Sequence, residues 1–235
     1  MTDTSSLPLV MIPGLACTAR LYTEQLPALW TCGPVTVADH TRAEHVDAIA
    51  RQILDDAPRH FALAGLSMGG YIALAMMRVA PERVKKLALL DTGARADTPE
   101  QTERRKGQIA KAREGDFDAI LEALWQVLVH KDRQDDMALK AIVTGMGRMS
   151  GAETFARQQQ AIMTRPDSRP GLANIACPTL VLVGDGDQLT PPALSEEMAG
   201  LIPGSRLVSV PDCGHLSTLE RPDAVTQALL DWMRA

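Results

Sequence analysis

A chain of 235 residues, 46% hydrophobic and 23% charged, has ordinary globular composition and room for one domain with an insertion. A net charge of −5, with no basic stretch, argues against nucleic acid as a partner. No window reaches the roughly 18 apolar residues of a membrane span, so no membrane partner is expected.

Met1–Ser6 has neither a basic start nor a long apolar run, and the expectation is a cytoplasmic protein. Its four cysteines (Cys17, Cys32, Cys177 and Cys213) show no paired metal-binding spacing and are expected as free thiols, with no metal. Leu7–Ile12 is the first apolar run with strand character, followed by a tight turn at Pro13-Gly14-Leu15. Val35–Ala38 is the second strand, and a helical pattern covers Ala43–Ala57. Phe61–Leu66 is the third strand and runs into a buried helix over Met68–Val79. Lys86–Asp91 is the fourth. From about Arg95 to Leu172 no strand is found, only helical patterns over Pro99–Glu114, Phe117–His130, Asp135–Met149 and Gly151–Thr164. Strand–helix alternation returns with Thr179–Gly184, Pro192–Leu201, Arg206–Val210 and Pro222–Met233. Prolines 58, 81, 203 and 211 fall where elements should end.

Nearly continuous apolar strands alternating with helices imply an α/β fold: a doubly wound, mostly parallel sheet of six strands covered on both faces. The helical excursion is read as an inserted cap, residues 95–172, on a core formed by residues 1–94 and 173–235.

Gly65-Leu66-Ser67-Met68-Gly69 places a serine between two glycines at a strand-to-helix turn, a pattern that lifts a nucleophilic hydroxyl out of a sheet. A serine hydroxyl needs a base, and the base needs an acid to fix its tautomer. Of five histidines, His215 is the candidate base, because it lies in a glycine-containing loop just past the last strand. His40 also follows a strand but has no nucleophile beside it, and His45, His60 and His130 are expected to be solvated or structural. Asp187 is the candidate acid, in the loop after the fifth strand, with Asp185 as fallback and Asp91 third. The backbone N–H groups of Leu15 and Met68 are the candidate oxyanion donors.

Each motif has a plainer interpretation. The glycines serve close helix–sheet packing, the aspartates make a polar turn, and cap methionines 137, 146, 149 and 163 with Trp125 fill a core rather than line an acyl pocket. Arg148, Arg157 and Arg165 belong to a solvated face rather than a carboxylate-binding site. A dinucleotide fingerprint is the strongest rival, but Ser67 stands where a glycine should admit pyrophosphate, and the rival leaves Asp187 and His215 unexplained. The order Ser67, Asp187, His215, each just past a strand, favours the nucleophile reading.

Phe61–Tyr71 resembles the nucleophile elbow of the α/β-hydrolase superfamily. Gly184–Pro192 resembles its acid loop, whose acid usually falls three positions after the glycine, and Gly214–Pro222 resembles its histidine loop. Within the superfamily the chain is most similar to carboxylesterases and 3-oxoadipate enol-lactonase-like enzymes. The resemblance implies a serine hydrolase acting on an ester, thioester or lactone of a small to medium acyl substrate, without a cofactor. Its rivals are the same triad used for C–C hydrolysis, lyase or perhydrolase chemistry, and a non-catalytic ligand-binding member of the fold. Pro13-Gly14 replaces the family's common His-Gly, and the first strand corresponds to the family's third, which implies a wholly parallel sheet. A monomer or homodimer is expected.

Overall fold

The computed structural model describes residues 6–235; the leader-free reading of the N-terminus therefore falls, except for Ser6, outside the described residues. Six strands form one sheet: β1 (Leu9–Ile12), β2 (Val35–Val37), β3 (Phe61–Leu66), β4 (Val84–Leu90), β5 (Thr179–Gly184) and β6 (Arg206–Val210). Their spatial order is β2-β1-β3-β4-β5-β6, and every neighbouring pair is parallel. The sheet is thus wholly parallel, as the family resemblance implies.

Among the described residues, eight helices of ten or more residues surround or extend it: α1 (Val46–Asp56), α2 (Met68–Val79), α3 (Pro99–Arg113), α4 (Phe117–Leu128), α5 (Met137–Ser150), α6 (Ala152–Met163), α7 (Pro192–Leu201) and α8 (Pro222–Arg234). Pro99, Pro192 and Pro222 each open a helix, where a missing N–H costs nothing. Thr98 and Gln101 cap α3 reciprocally.

Strand alternation divides the core. Val10, Ile12, Phe61, Leu63, Leu87, Leu89 and Val181 face α1, α2 and α7. Leu9, Met11, Ala62, Ala64, Leu66, Ala88, Leu90, Leu180 and Leu182 face α8 and the segment before β2. Helix α2 is buried continuously from Met68 to Met77, which explains its lack of a polar stripe. β1 sits between β2 and β3, so the chain moves to one side of β1 for β2 and then crosses to its other side for β3. This makes β1/β3 the switch point of the sheet, the place at the strands' carboxyl ends where open α/β sheets gather their sites.

Element boundaries differ from the sequence expectation in instructive ways. β4 starts at Val84 and ends at Leu90, and Asp91 leaves the sheet with φ 44°. Six short helical turns, such as Ser217–Glu220 and Arg169–Leu172, went unread because three or four residues carry no period.

Helices α3 to α6 occupy the stretch between β4 and β5. Trp125, Val129, Leu139, Val143 and Met146 join the sheet's apolar cluster, so this stretch is fused to the core. A smaller cluster of Ala112, Ile120 and Phe155 packs on Ala16, with the Phe117 and Phe155 rings 5.3 Å apart. Trp125 and Met146 are core, as the plainer interpretation has it, whereas Met137 and Met149 are 67% and 78% exposed. Arg165 departs from the solvated-face expectation. Its side chain is buried, pairs with the buried Asp97, and lies 4.2 Å from the Tyr71 ring centroid. Arg105 shares Asp97, so the two ends of the excursion are pinned together. Arg148 does lie exposed, paired with Asp118, while Arg157 donates to the Thr41 carbonyl. All four cysteines are unpaired. Among the described residues, no helix is long and apolar enough to cross a membrane.

Two glycine substitutions should act in opposite directions. A Cβ on Gly69 would overlap the Ile12 carbonyl, and backbone cannot move aside as a side-chain tip can. Gly69→Ala should cost about 3 kcal/mol and lower Tm by about 10 °C. Gly145, inside α5, has open space around it. Gly145→Ala should raise Tm by a few degrees, from about 0.5–1 kcal/mol of recovered helix propensity. Thermal unfolding of the two variants checks the pair; equal shifts would contradict the packing argument.

Candidate active site

Ser67 occupies the junction between β3 and α2 with φ 55° and ψ −116°, a backbone conformation that L-residues rarely adopt. The turn is tight enough that a Cβ on Gly65 would overlap the Gly69 carbonyl. The strain is held in place from several sides. The Ser67 N–H donates to the Leu90 carbonyl (2.9 Å), and the Ser67 carbonyl accepts from Thr92 Oγ1 (2.8 Å) and the Gly70 N–H (2.9 Å).

His215 lies in the loop between β6 and α8 and is 2% exposed. Its N–H donates to the Leu128 carbonyl at the end of α4 (3.0 Å). Its Nε2 stands 2.8 Å from Ser67 Oγ, and its Nδ1 stands 2.8 Å from Asp187 Oδ2. Residues separated by 148 and 28 positions thus form one relay of hydrogen bonds. The other carboxylate oxygen of Asp187 accepts the N–H groups of Leu189 (2.8 Å) and Thr190 (3.0 Å), while Thr190 Oγ1 donates to Oδ2 (2.7 Å). A turn of its own loop therefore aims this carboxylate. Asp185, the fallback, is exposed and accepts from the Cys213 N–H instead.

The charges are unequal by design of their surroundings. Burial alone would raise the Asp187 carboxyl, but the adjacent imidazole and the loop donors outweigh it and hold it below the ordinary aspartate value. Burial alone would lower His215, but Asp187 beside it leaves it raised above the ordinary histidine value. Asp91, third among the candidate acids, is fully buried and does not hydrogen-bond the imidazole. It accepts from the Gly184 N–H (2.9 Å) and bonds the Ser217 hydroxyl. Burial first, and then the nearby Asp187 charge, push it up to about 8.

The loop after β1 lies against the nucleophile. A Cβ on Gly14 would sit 3.5 Å from Ser67 Cβ. Met68 is the first residue of α2, so its N–H has no intrahelical acceptor. Among the described residues, neither the Leu15 nor the Met68 N–H pairs with a backbone carbonyl outside a regular element. Met68 thus follows Ser67 directly, and Leu15 lies in the loop whose Gly14 approaches Ser67.

Two groups of residues went unread in the sequence. Glu220 is 2% exposed and accepts the N–H groups of His130 (2.8 Å), Gly214 (3.0 Å) and Leu216 (3.3 Å), so one carboxyl gathers the loop that carries His215. Nothing local marks a Glu in a surface-like Leu-Glu-Arg stretch as buried. His40 has no nucleophile beside it, yet it is 3% exposed and bonds the Gly14 carbonyl. His45 and His60 are exposed, as expected. His130 is partly buried and contributes its backbone. Among the described residues, no group of three or more His, Cys, Asp or Glu side chains is arranged to hold a metal ion.

A family profile for the alpha/beta hydrolase fold matches residues 22–222. Among sequence relatives, a Mycobacterium tuberculosis protein that carries the name of a non-heme bromoperoxidase is 33% identical over 184 residues, covering 76% of this chain and 69% of that one. Among solved structures, a thermophilic esterase from Thermogutta terrifontis superposes with a TM-score of 0.90 at 31% identity, covering 98% of this chain and 90% of that one. The enol-lactonase from Burkholderia xenovorans LB400 gives 0.86 at 25%, covering 98% and 92%.

The raised Asp91 has a consequence for stability. Between 3.8, its ordinary value, and about 8, the native state keeps a proton that the unfolded chain has lost. Stability should therefore fall as pH rises through that window. Asp91→Asn keeps both hydrogen bonds and removes the ionisation, so its Tm advantage over wild type should grow from about pH 4 to about pH 8 and then level off. Melting curves across this range check it; a constant difference would contradict the assignment.

Proposed function

The chain belongs to the alpha/beta hydrolase fold family, and on that footing we propose that it is a serine hydrolase that cleaves esters of small to medium acyl substrates through an acyl-enzyme. The observation that carries this reading is the continuous relay from Ser67 Oγ through the His215 ring to Asp187, at 2.8 Å on each side. The likeness to the Thermogutta terrifontis esterase supports ester chemistry over other uses of the relay.

In the proposed cycle, Ser67 Oγ attacks the ester carbonyl carbon as its proton passes to His215 Nε2. Asp187 holds the Nδ1–H tautomer and stabilises the imidazolium. The carbonyl oxygen gains negative charge and is met by the Leu15 and Met68 N–H groups, each worth about 3 kcal/mol in the transition state. His215 then gives its proton to the leaving alkoxide, and the C–O bond breaks. Water then attacks the acyl carbon as it loses a proton to His215; the acyl–Oγ bond breaks, the acid leaves, and His215 returns that proton to Ser67 Oγ. Substrate and water balance every step. Residues 95–172 serve in this reading as a cap over the crevice, on a core of residues 1–94 and 173–235. Thioesters and lactones are variants of the same attack.

The name of the Mycobacterium tuberculosis relative favours one second reading. Hydrogen peroxide would replace water at the acyl-enzyme and leave as a peracid, which oxidises bromide. Bromination that depends on both peroxide and a carboxylic acid, exceeding ester turnover, would favour it.

Ser67→Ala should lower ester turnover by at least about 10³-fold with Tm unchanged, and should abolish labelling by a fluorophosphonate probe. Equal labelling of wild type and variant would sink the nucleophile assignment. The kcat/KM profile should fall toward acid pH as His215 gains a proton, with a midpoint above 6.5 because Asp187 raises it. A profile flat down to about pH 5 would remove His215 as the base.

A further inference from the structure

The candidate donor Leu15 N–H shares its peptide group with the Gly14 carbonyl. In a trans peptide these two bonds lie in one plane and point in opposite directions. Whatever grips the carbonyl therefore aims the N–H. Two donors reach that carbonyl, His40 Nε2 at 3.0 Å and the Cys17 N–H at 3.1 Å. Hydrogen bonding at an amide oxygen also polarises the group and strengthens its N–H as a donor.

The next peptide is held from the other side. Ala16 has φ 55°, a left-handed residue without glycine's freedom, and its N–H donates to Gln158 Oε1 at 2.9 Å. Gln158 lies on α6 and is fully buried. Its Nε2 comes within 3.0 Å of His40 Nε2, which closes a ring of contacts from Gly14 through His40 and Gln158 to Ala16. The ring nitrogen holds either a hydrogen or a lone pair. With the hydrogen it donates to Gly14; without it, it accepts from Gln158. Burial pulls the pKa of His40 below the ordinary histidine value, which favours a neutral ring with one hydrogen to place.

We propose that His40 and Gln158 are positioning residues for the oxyanion donor: His40, as its Nε2–H tautomer, aims and polarises the Leu15 peptide, while Gln158 locks the left-handed turn behind it and ties donor geometry to the seating of α6. This rests on the hydrolase reading above. It goes further in assigning the insertion a direct hold on the transition-state site. A shift of α6 that withdraws Gln158 frees the Ala16 N–H and relaxes the turn that presents Leu15.

The test compares H40L, H40Q and Q158L with wild type in the full chain. Three quantities are read: p-nitrophenyl acetate turnover, affinity for an alkyl trifluoromethyl ketone, and the Gly14 carbonyl ¹³C resonance. The ketone's adduct with Ser67 places an oxyanion between the donors. H40L and Q158L should each lower kcat about tenfold or more, and weaken ketone binding by a similar factor, with KM changed less than about threefold. H40Q, whose side-chain amide carries an N–H to about the same place, should recover most of both. The Gly14 resonance should move upfield in H40L and return in H40Q. Folded H40L and Q158L variants that keep kcat and ketone affinity within about twofold of wild type would overturn the proposal, as would an H40Q no better than H40L. Should H40L fail to fold, Q158L decides. A wild type with neither turnover nor probe labelling would sink the hydrolase reading instead, and a Gly14 resonance indifferent to residue 40 would then also sink the positioning claim.

Discussion

The β3–α2 junction sets the conditions for everything else at the site. Ser67 is held at φ 55° where the strand end, the helix start and the end of β1 converge too closely for a side chain at position 65 or 69. A non-glycine residue in such a conformation costs about 1–3 kcal/mol, so it persists only where its surroundings over-determine it. Here the Leu90 carbonyl, the Thr92 hydroxyl and the Gly70 N–H do so. The same compression brings the Gly14 loop against Ser67, because Ile12 pairs in register with Gly65. One steric requirement thus sets the half-buried Ser67 at the start of the helix, next to its positive end, with the Gly14 loop beside it.

Three buried carboxyls surround this junction, and their partners separate their roles. Asp187 has a positive-going imidazole and donors from its own loop, so it is held as the carboxylate. Glu220 accepts from backbone donors rather than from an imidazole, and burial leaves it raised. Asp91 has fewer donors and lies in the field of Asp187, and it is raised most clearly. Asp91, raised above the ordinary aspartate value, accepts from Gly184 and bonds Ser217, and these hydrogen bonds bridge the acid and histidine loops, while Asp187 is the carboxyl that pairs with His215. The same chemical group therefore serves as charge in one place and as a polar tie in two others.

The four-helix excursion is bound to these loops rather than laid over them. The Leu128 carbonyl at the end of α4 accepts the His215 backbone N–H, and the His130 N–H just beyond it donates to the Glu220 carboxylate. Gln158 of α6 holds the loop after β1. Arg165 and Arg105 close the excursion's two ends on Asp97. The excursion is thereby tied both to the loop that carries His215 and to the loop after β1.

Much of this was legible in the chain itself. Apolar runs bounded by proline and glycine mark all six strands and every helix of ten or more residues, since burial on both faces leaves a periodic trace. Local chemistry also nominated Ser67, Asp187 and His215, because a nucleophile turn and two loops past strand ends each have a composition of their own. Contacts between segments far apart in the chain have no such trace. Nothing in the residues around position 40 announces that its ring meets Gly14 and a glutamine 118 positions away, or that Glu220 collects amides from the far side of the histidine loop. Local order was determined by the sequence through short-range sterics and periodic burial. The raised pKa of Asp91, the gathering of three backbone amides by Glu220 and the contacts of His40 and Gln158 with the loop after β1 were decided only by tertiary structure, because each depends on which distant groups share a dry interior.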